Sequence, residues 1–328
     1  MGFDRDSIKL YLSSCIIDGS VEKFRESSPK YLMGMNMQSG QEYKLRFYDL
    51  PLCRLHVLEA GSGPPLVIVP ATISECKDWV ALARFMAQWF HVYFFELPGH
   101  GESTPFRQPF STSLVAETVE QLLDLLGIQR FHLMGFSFGG ILAMKTFQRL
   151  EARVDGVILI APCLTQRAVT LSRTRTRLVL AVNWFLGRPR NRKAFLRLLH
   201  NPRSVDLMIR FLQRLGRIES TIKLRPKLLT ISESTLEVLG CQINEILTIE
   251  FSKPEAKHAT LCFLAMSVND PVLDFETTLA VAQAHFERVQ VFRTSEPYHQ
   301  PPEPFTYEGL NREYYETVEE FLKRQGSS

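Results

Sequence analysis

The sequence predicts an α/β protein: a mostly parallel central sheet with helices on both faces and an inserted helical cap. Three observations carry this. From residue 43 onward, short apolar runs alternate with segments of helical spacing, the rhythm of strands that cross over through helices. The stretch Gly135-Phe136-Ser137-Phe138-Gly139 joins an apolar run at 131–134 to a helix-like run at 140–147. Finally, the alternation stops after Pro162, gives way to helix-like segments alone, and returns near residue 259.

In chain order, residues 1–42 read as an N-terminal extension with no identifiable chemistry. Residues 43–48 and 52–58 have strand character around a turn containing Pro51, and the loop Gly61-Ser62-Gly63-Pro64-Pro65 precedes a short buried strand at 66–69. Residues 78–90 carry Trp79, Leu82, Phe85, Met86 and Phe90 as an apolar helical stripe. A strand at 91–95 ends in Glu96-Leu97-Pro98-Gly99-His100-Gly101-Glu102-Ser103. A helix over 113–126 stops at Gly127, and a buried strand at 157–160 follows the Ser137 segment. The cap spans 164–258, with helices expected at 178–186 and 203–215. The core then resumes with a strand at 260–266, a helix at 277–285, a strand at 289–292 and a last amphipathic helix at 311–323. The core domain is therefore 43–163 plus 259–328.

A chain of 328 residues with 45% hydrophobic and 22% charged residues buries a large core without staples. Six scattered cysteines form no CxxC pair and no Cys/His ligand spacing, so neither structural zinc nor a disulfide framework is expected, and no metal or other cofactor is implied. The acidic start Met1-Gly2-Phe3-Asp4-Arg5-Asp6 is unlike a secretory signal, no apolar run reaches bilayer length, and the expectation is a cytoplasmic protein. Net charge is only +3, yet residues 167–227 hold thirteen arginines and three lysines against Asp206 and Glu219.

Gly-x-Ser-x-Gly at a strand-to-helix junction is the pattern of a nucleophile elbow, a sharp turn that lifts a serine hydroxyl clear of the backbone. A serine hydroxyl needs a base, and that base needs an orienting acid. Beyond the returning strands stand two histidines. His285 falls in the 277–285 helix, at its end or on the surface, while His299 lies in the loop after the last strand. For the acid, Asp270 lies at the carboxyl end of strand 260–266, where sheet-borne functional groups collect; Asp274, its competitor, suits the cap of the next helix. The carbonyl oxygen needs backbone donors, expected from Phe138 and from Thr72 in the loop Pro70-Ala71-Thr72-Ile73-Ser74.

From about residue 43 to the C-terminus the chain resembles the α/β-hydrolase superfamily, in the form with a helical cap. The resemblance rests on residues 97–103, the 135–140 elbow, Asn269-Asp270-Pro271 and the His299 loop. It implies Ser137 as nucleophile, Asp270 as acid and His299 as base, with Trp79 packing on the helix after the oxyanion loop. It makes His100 and Glu102 part of a structural turn. Two places depart from the family pattern: Pro70-Ala71 stands where His-Gly is common, and Tyr298-His299 where Gly-His is common.

The expected activity is that of a serine hydrolase acting on an ester or thioester of an apolar acyl group. Carbon–carbon bond hydrolysis, acyl transfer and a weakly catalytic ligand-binding or membrane-associated role stay open. Phe136, Trp184 and Phe185 are candidates for an acyl pocket, against the plainer reading that such residues bind cap to core. The basic cap admits three readings: a solvated face, attraction for an acidic substrate, or peripheral contact with an anionic membrane. Nucleic acid is not expected, because no recognition motif accompanies the charge.

Overall fold

A computed structural model describes residues 43–214, 224–299 and 306–325. The expectation for residues 1–42, and the basic residues Arg217 and Lys223, lie outside this range. Eight strands form one sheet: β1 (Tyr43–Asp49), β2 (Arg54–Ala60), β3 (Pro65–Val69), β4 (His91–Phe95), β5 (Phe131–Phe136), β6 (Val154–Ile160), β7 (Leu261–Ser267) and β8 (Val289–Thr294). Their order is β1-β2-β4-β3-β5-β6-β7-β8. The β1–β2 and β2–β4 pairs are antiparallel and all the others are parallel.

The parallel strands are apolar along their length because helices cover both faces. One face packs α2 (Thr112–Leu125), α3 (Gly139–Leu150) and α9 (Phe275–His285) against Val67, Leu133, Leu159 and Leu264. The other packs α1 (Cys76–Met86) and α10 (Tyr307–Gln325) against Ile68, Met134, Ile158 and Phe263. The period of two along each strand assigns neighbouring residues to opposite faces. Local signals set helix ends. The Ser111 hydroxyl accepts from Leu114 N–H at the start of α2, and Gly127 follows that helix with φ of 68°. At α9 the Asp274 carboxylate plays the capping part, accepting from Thr277 N–H at 2.8 Å.

Between β6 and β7 the chain leaves the sheet through a helical insertion: α4 (Arg173–Leu186), α5 (Pro189–Leu199), α6 (Pro202–Arg214), α7 (Leu224–Thr230) and α8 (Glu233–Thr248). Its two ends meet at a neck. Thr165 bridges Glu250, Gln166 N–H donates to Ile249 O at 2.9 Å, and the Thr165 hydroxyl donates to Glu250. Among the described residues no helix is long and apolar enough to cross a membrane.

Candidate active site

The elbow is built by close backbone packing. β5 hands directly to α3, and Ser137 sits between them at φ of 54°, a left-handed conformation that a non-glycine residue holds only against local strain. The turn is pinned from both sides: Ser137 N–H donates to Ile160 O at 3.0 Å, and Ser137 O accepts from Gly140 N–H and Cys163 N–H, each at 2.9 Å. Glycine is required at position 135, where a Cβ would lie 2.2 Å from Gly139 O.

Three side chains from three loops then form one chain of hydrogen bonds. His299 Nε2 lies 2.8 Å from Ser137 Oγ, and His299 Nδ1 lies 2.7 Å from Asp270 Oδ2. A carboxylate only accepts, so the proton of the neutral ring sits on Nδ1 and Nε2 is left to accept from the serine hydroxyl. Asp270 Oδ1 accepts from Val272 N–H at 2.8 Å and Leu273 N–H at 3.1 Å, which fixes the carboxylate independently of the imidazole. The two loops are tied together by Asn269 Nδ2, which donates to Ser295 O at 2.7 Å. Sequence patterning did not single out that link. Asp270 and His299 are both buried, while Ser137 keeps partial exposure.

The competing residues go elsewhere. Asp274 caps α9 and its carboxyl is held below the usual range by the Thr277 hydroxyl and N–H. His285 ends α9 but is buried rather than on the surface, with its two ring nitrogens near Val281 O and Ser252 O. The Phe251 ring packs edge-on against it at 6.3 Å.

Phe138 begins α3, where the first N–H groups have no intrahelical acceptor. Thr72 lines the same cavity as His299, in a loop whose next residue, Ile73, has φ of 49°. The start of a helix presents N–H groups and a dipole of the kind a developing oxyanion requires.

The cavity itself has a volume of about 1410 Å³, larger than an ordinary small-molecule pocket of roughly 300–1,000 Å³. Phe136 and Trp184 line it. The Phe136 ring lies tilted, 5.6 Å from the His299 ring and 6.2 Å from that of Trp79. Phe185 does not line the cavity. One residue on from Trp184, it lies about 100° further round α4. The wall continues past Met134, Ile158 and Phe263 toward Phe321 of α10, so apolar lining extends well beyond the triad.

Two further groups stand out. His100 lines the cavity at 2% exposure, and neither ring nitrogen has a hydrogen-bond partner among the described residues. Burial pushes its imidazole down to about 4, with the Glu75 carboxylate pulling the other way. Glu96 is a buried clamp. It accepts from Cys76 N–H at 2.9 Å and Glu102 N–H at 2.6 Å, and lies 3.1 Å from His56 Nδ1. It thereby joins α1, β2 and the 97–103 turn, where a Cβ on Gly101 would meet its carboxylate at 2.2 Å. His56, Cys76 and Glu96 place three ligand-type atoms within 4.8 Å, a grouping no sequence spacing revealed. Backbone donors already take the Glu96 oxygens and the Cys76 thiol is pushed up by burial, so the donor set is spent on the fold.

Known proteins resemble this chain in matching ways. The family model described as "alpha/beta hydrolase fold" matches residues 64–225. An uncharacterized protein of Mycobacterium bovis is 32% identical over 102 residues, 31% of this chain and 30% of that protein. A pimeloyl-[acyl-carrier protein] methyl ester esterase of Nitrosospira multiformis is 32% identical over 108 residues, 32% of this chain and 41% of that protein. The alignments therefore span well under half of these relatives. A thermophilic esterase from Thermogutta terrifontis superposes with a TM-score of 0.59 at 17% identity, covering 86% of this chain and 99% of that one.

Proposed function

The chain belongs to the α/β-hydrolase fold superfamily, and from that premise we propose that it is a serine hydrolase cleaving a carboxylic ester or thioester of an apolar acyl group. The observation that carries the reading is the unbroken Ser137–His299–Asp270 hydrogen-bond chain, at 2.8 and 2.7 Å. In this reading Ser137 Oγ attacks the carbonyl carbon while its proton passes to His299 Nε2. The carbonyl π pair moves onto oxygen, facing the N–H groups of Phe138 and Thr72. Collapse breaks the bond to the leaving group, which takes the proton from His299. Water then repeats the sequence on the acyl-enzyme, giving the free acid and restoring Ser137. Asp270 stays ionised throughout and holds the ring in the required tautomer.

The large apolar cavity supports an acyl substrate, and we assign residues 164–258 the part of a lid over it. Fluorophosphonate labelling tests the chemistry: the reagent should modify Ser137, and equal modification of Ser137→Ala sinks the proposal. Profiling purified protein against esters and thioesters of graded chain length, with Ser137→Ala as the blank, then reads out substrate class. Activity confined to carbon–carbon or transfer substrates would replace hydrolysis of esters with those chemistries on the same triad.

A further inference from the structure

We infer that the outer face of cap helices α4, α5 and α6 docks on an anionic lipid surface, with the mouth of the cavity at that face. The starting point is exposure. Six of the eleven exposed large hydrophobic residues among those described lie on these three helices: Leu178, Val182, Trp184, Phe185, Leu198 and Leu207. Leu178 is 63% and Leu207 71% exposed. No residue of α4 is buried. A water-facing helix ordinarily carries polar side chains on its outer rows. Here Leu178, Val182 and Phe185 recur at i, i+4 and i+7, the spacing of one continuous helical row.

Charge decides what covers this face. Arg173, Arg177 and Arg188 flank the α4 row, Arg190, Lys193 and Arg197 are exposed on or beside α5, and Arg203 and Arg210 flank Leu207 on α6. Across these helices the one acid is Asp206, and Arg225 already holds it at 2.7 Å. A second copy of the chain would bring arginine against arginine, which is repulsive. A purely polyanionic partner would leave the leucines and phenylalanine in water. Apolar side chains framed by basic ones are satisfied together where acyl tails meet anionic headgroups.

The cavity supplies the second, independent argument. Trp184, Leu186 and Arg188 belong to the outward end of α4 and its exit, and all three also line the cavity that reaches His299. Trp184 is 65% exposed, and the Arg188 guanidinium lies 3.9 Å over its ring. Indole and arginine together suit the headgroup level of a bilayer. An acyl chain leaving a membrane at this point would enter the cavity without crossing bulk water.

The test is flotation of the full chain with phosphatidylcholine vesicles, with and without phosphatidylserine, at low and high salt. The expected result is partition at least roughly tenfold stronger onto the anionic vesicles, weakened by salt, with a blue shift of tryptophan emission that Trp184→Phe removes. Arg177→Glu/Arg190→Glu/Lys193→Glu should abolish the preference for anionic lipid. Leu178→Ser/Leu207→Ser should lower binding to all vesicles, with thermal melting reporting that both variants fold. Ser137→Ala should bind as the parent does, which separates docking from the proposed chemistry. No partition at low salt overturns the inference, as does unchanged binding by the charge-reversed variant. Preference for RNA over vesicles, or self-association through the same face, also overturns it.

Discussion

The helices α3 and α4 have similar lengths and opposite fates. α3 runs for twelve residues and buries nine of them between the sheet and its neighbours; α4 runs for fourteen and buries none. The difference lies in what each helix has to hold. α3 presents the elbow, so any looseness along it moves Ser137 relative to His299. α4 lends Trp184 and Leu186 to the cavity wall and leaves Leu178, Val182 and Phe185 exposed. The proposed chemistry thus sits on a deeply buried helix, and the inferred docking face on one that buries no residue.

The sharpest way to break this comparison is at the elbow. Ser137→Ala should lower ester turnover by about 10⁴-fold or more while leaving the melting temperature nearly unchanged, since alanine suffers the same positive φ as serine. Steady-state kinetics beside a thermal melt checks both halves. A variant that loses activity only in proportion to its stability would remove Ser137 from the chemistry. Next in size is packing. Phe147→Ala, at a fully buried position of α3 against Phe286 and His258, should cost about 3–5 kcal/mol in denaturant unfolding.

The rigid half was the more legible in sequence, for a physical reason. Strands of a covered parallel sheet read as short apolar runs, and Gly135, Ser137 and Gly139 signal their turn through backbone requirements local to five residues. Asp270 and His299 were candidates because chain order and strand ends are one-dimensional properties. What stayed hidden depends on distant contact. Glu96 gathers partners from positions 56, 76 and 102, and nothing local to it announces them. The facing of Phe185 was illegible because 178–186 is apolar nearly all round, so periodicity cannot say which row meets the cavity.

A third prediction addresses the seam between the two halves. The 97–103 turn touches the cap, where the Thr235 hydroxyl donates to Gly99 O at 3.1 Å, and His100 is buried beside it. With His100 held down to about 4 in the folded chain, the unfolded chain takes up its proton first as pH falls. The stability owed to neutral His100 is complete above about pH 6.5 and is lost as pH drops from there toward about 4. The span corresponds to about 3 kcal/mol. Urea unfolding across that window should show the slope, and His100→Gln should flatten it. An identical profile in the variant would assign the acid sensitivity to carboxylates elsewhere.

The smallest expected effect is the most informative about the cap. Leu178→Ser and Phe185→Ser should each change unfolding free energy by no more than about 0.5 kcal/mol, because positions more than half exposed contribute little to folding. The contrast with Phe147→Ala is then close to tenfold in energy for residues of similar apolar character. Chemical denaturation of the three variants side by side measures it. A cost near that of Phe147→Ala would mean that α4 packs more tightly than its exposure indicates, and the packed core would extend into the helical insertion. A negligible cost leaves the outward leucine and phenylalanine with no role in stability, although they expose apolar area beside a cluster of arginines. Such a result would leave contact outside the molecule, at the lipid surface inferred above, as the role of these exposed apolar side chains.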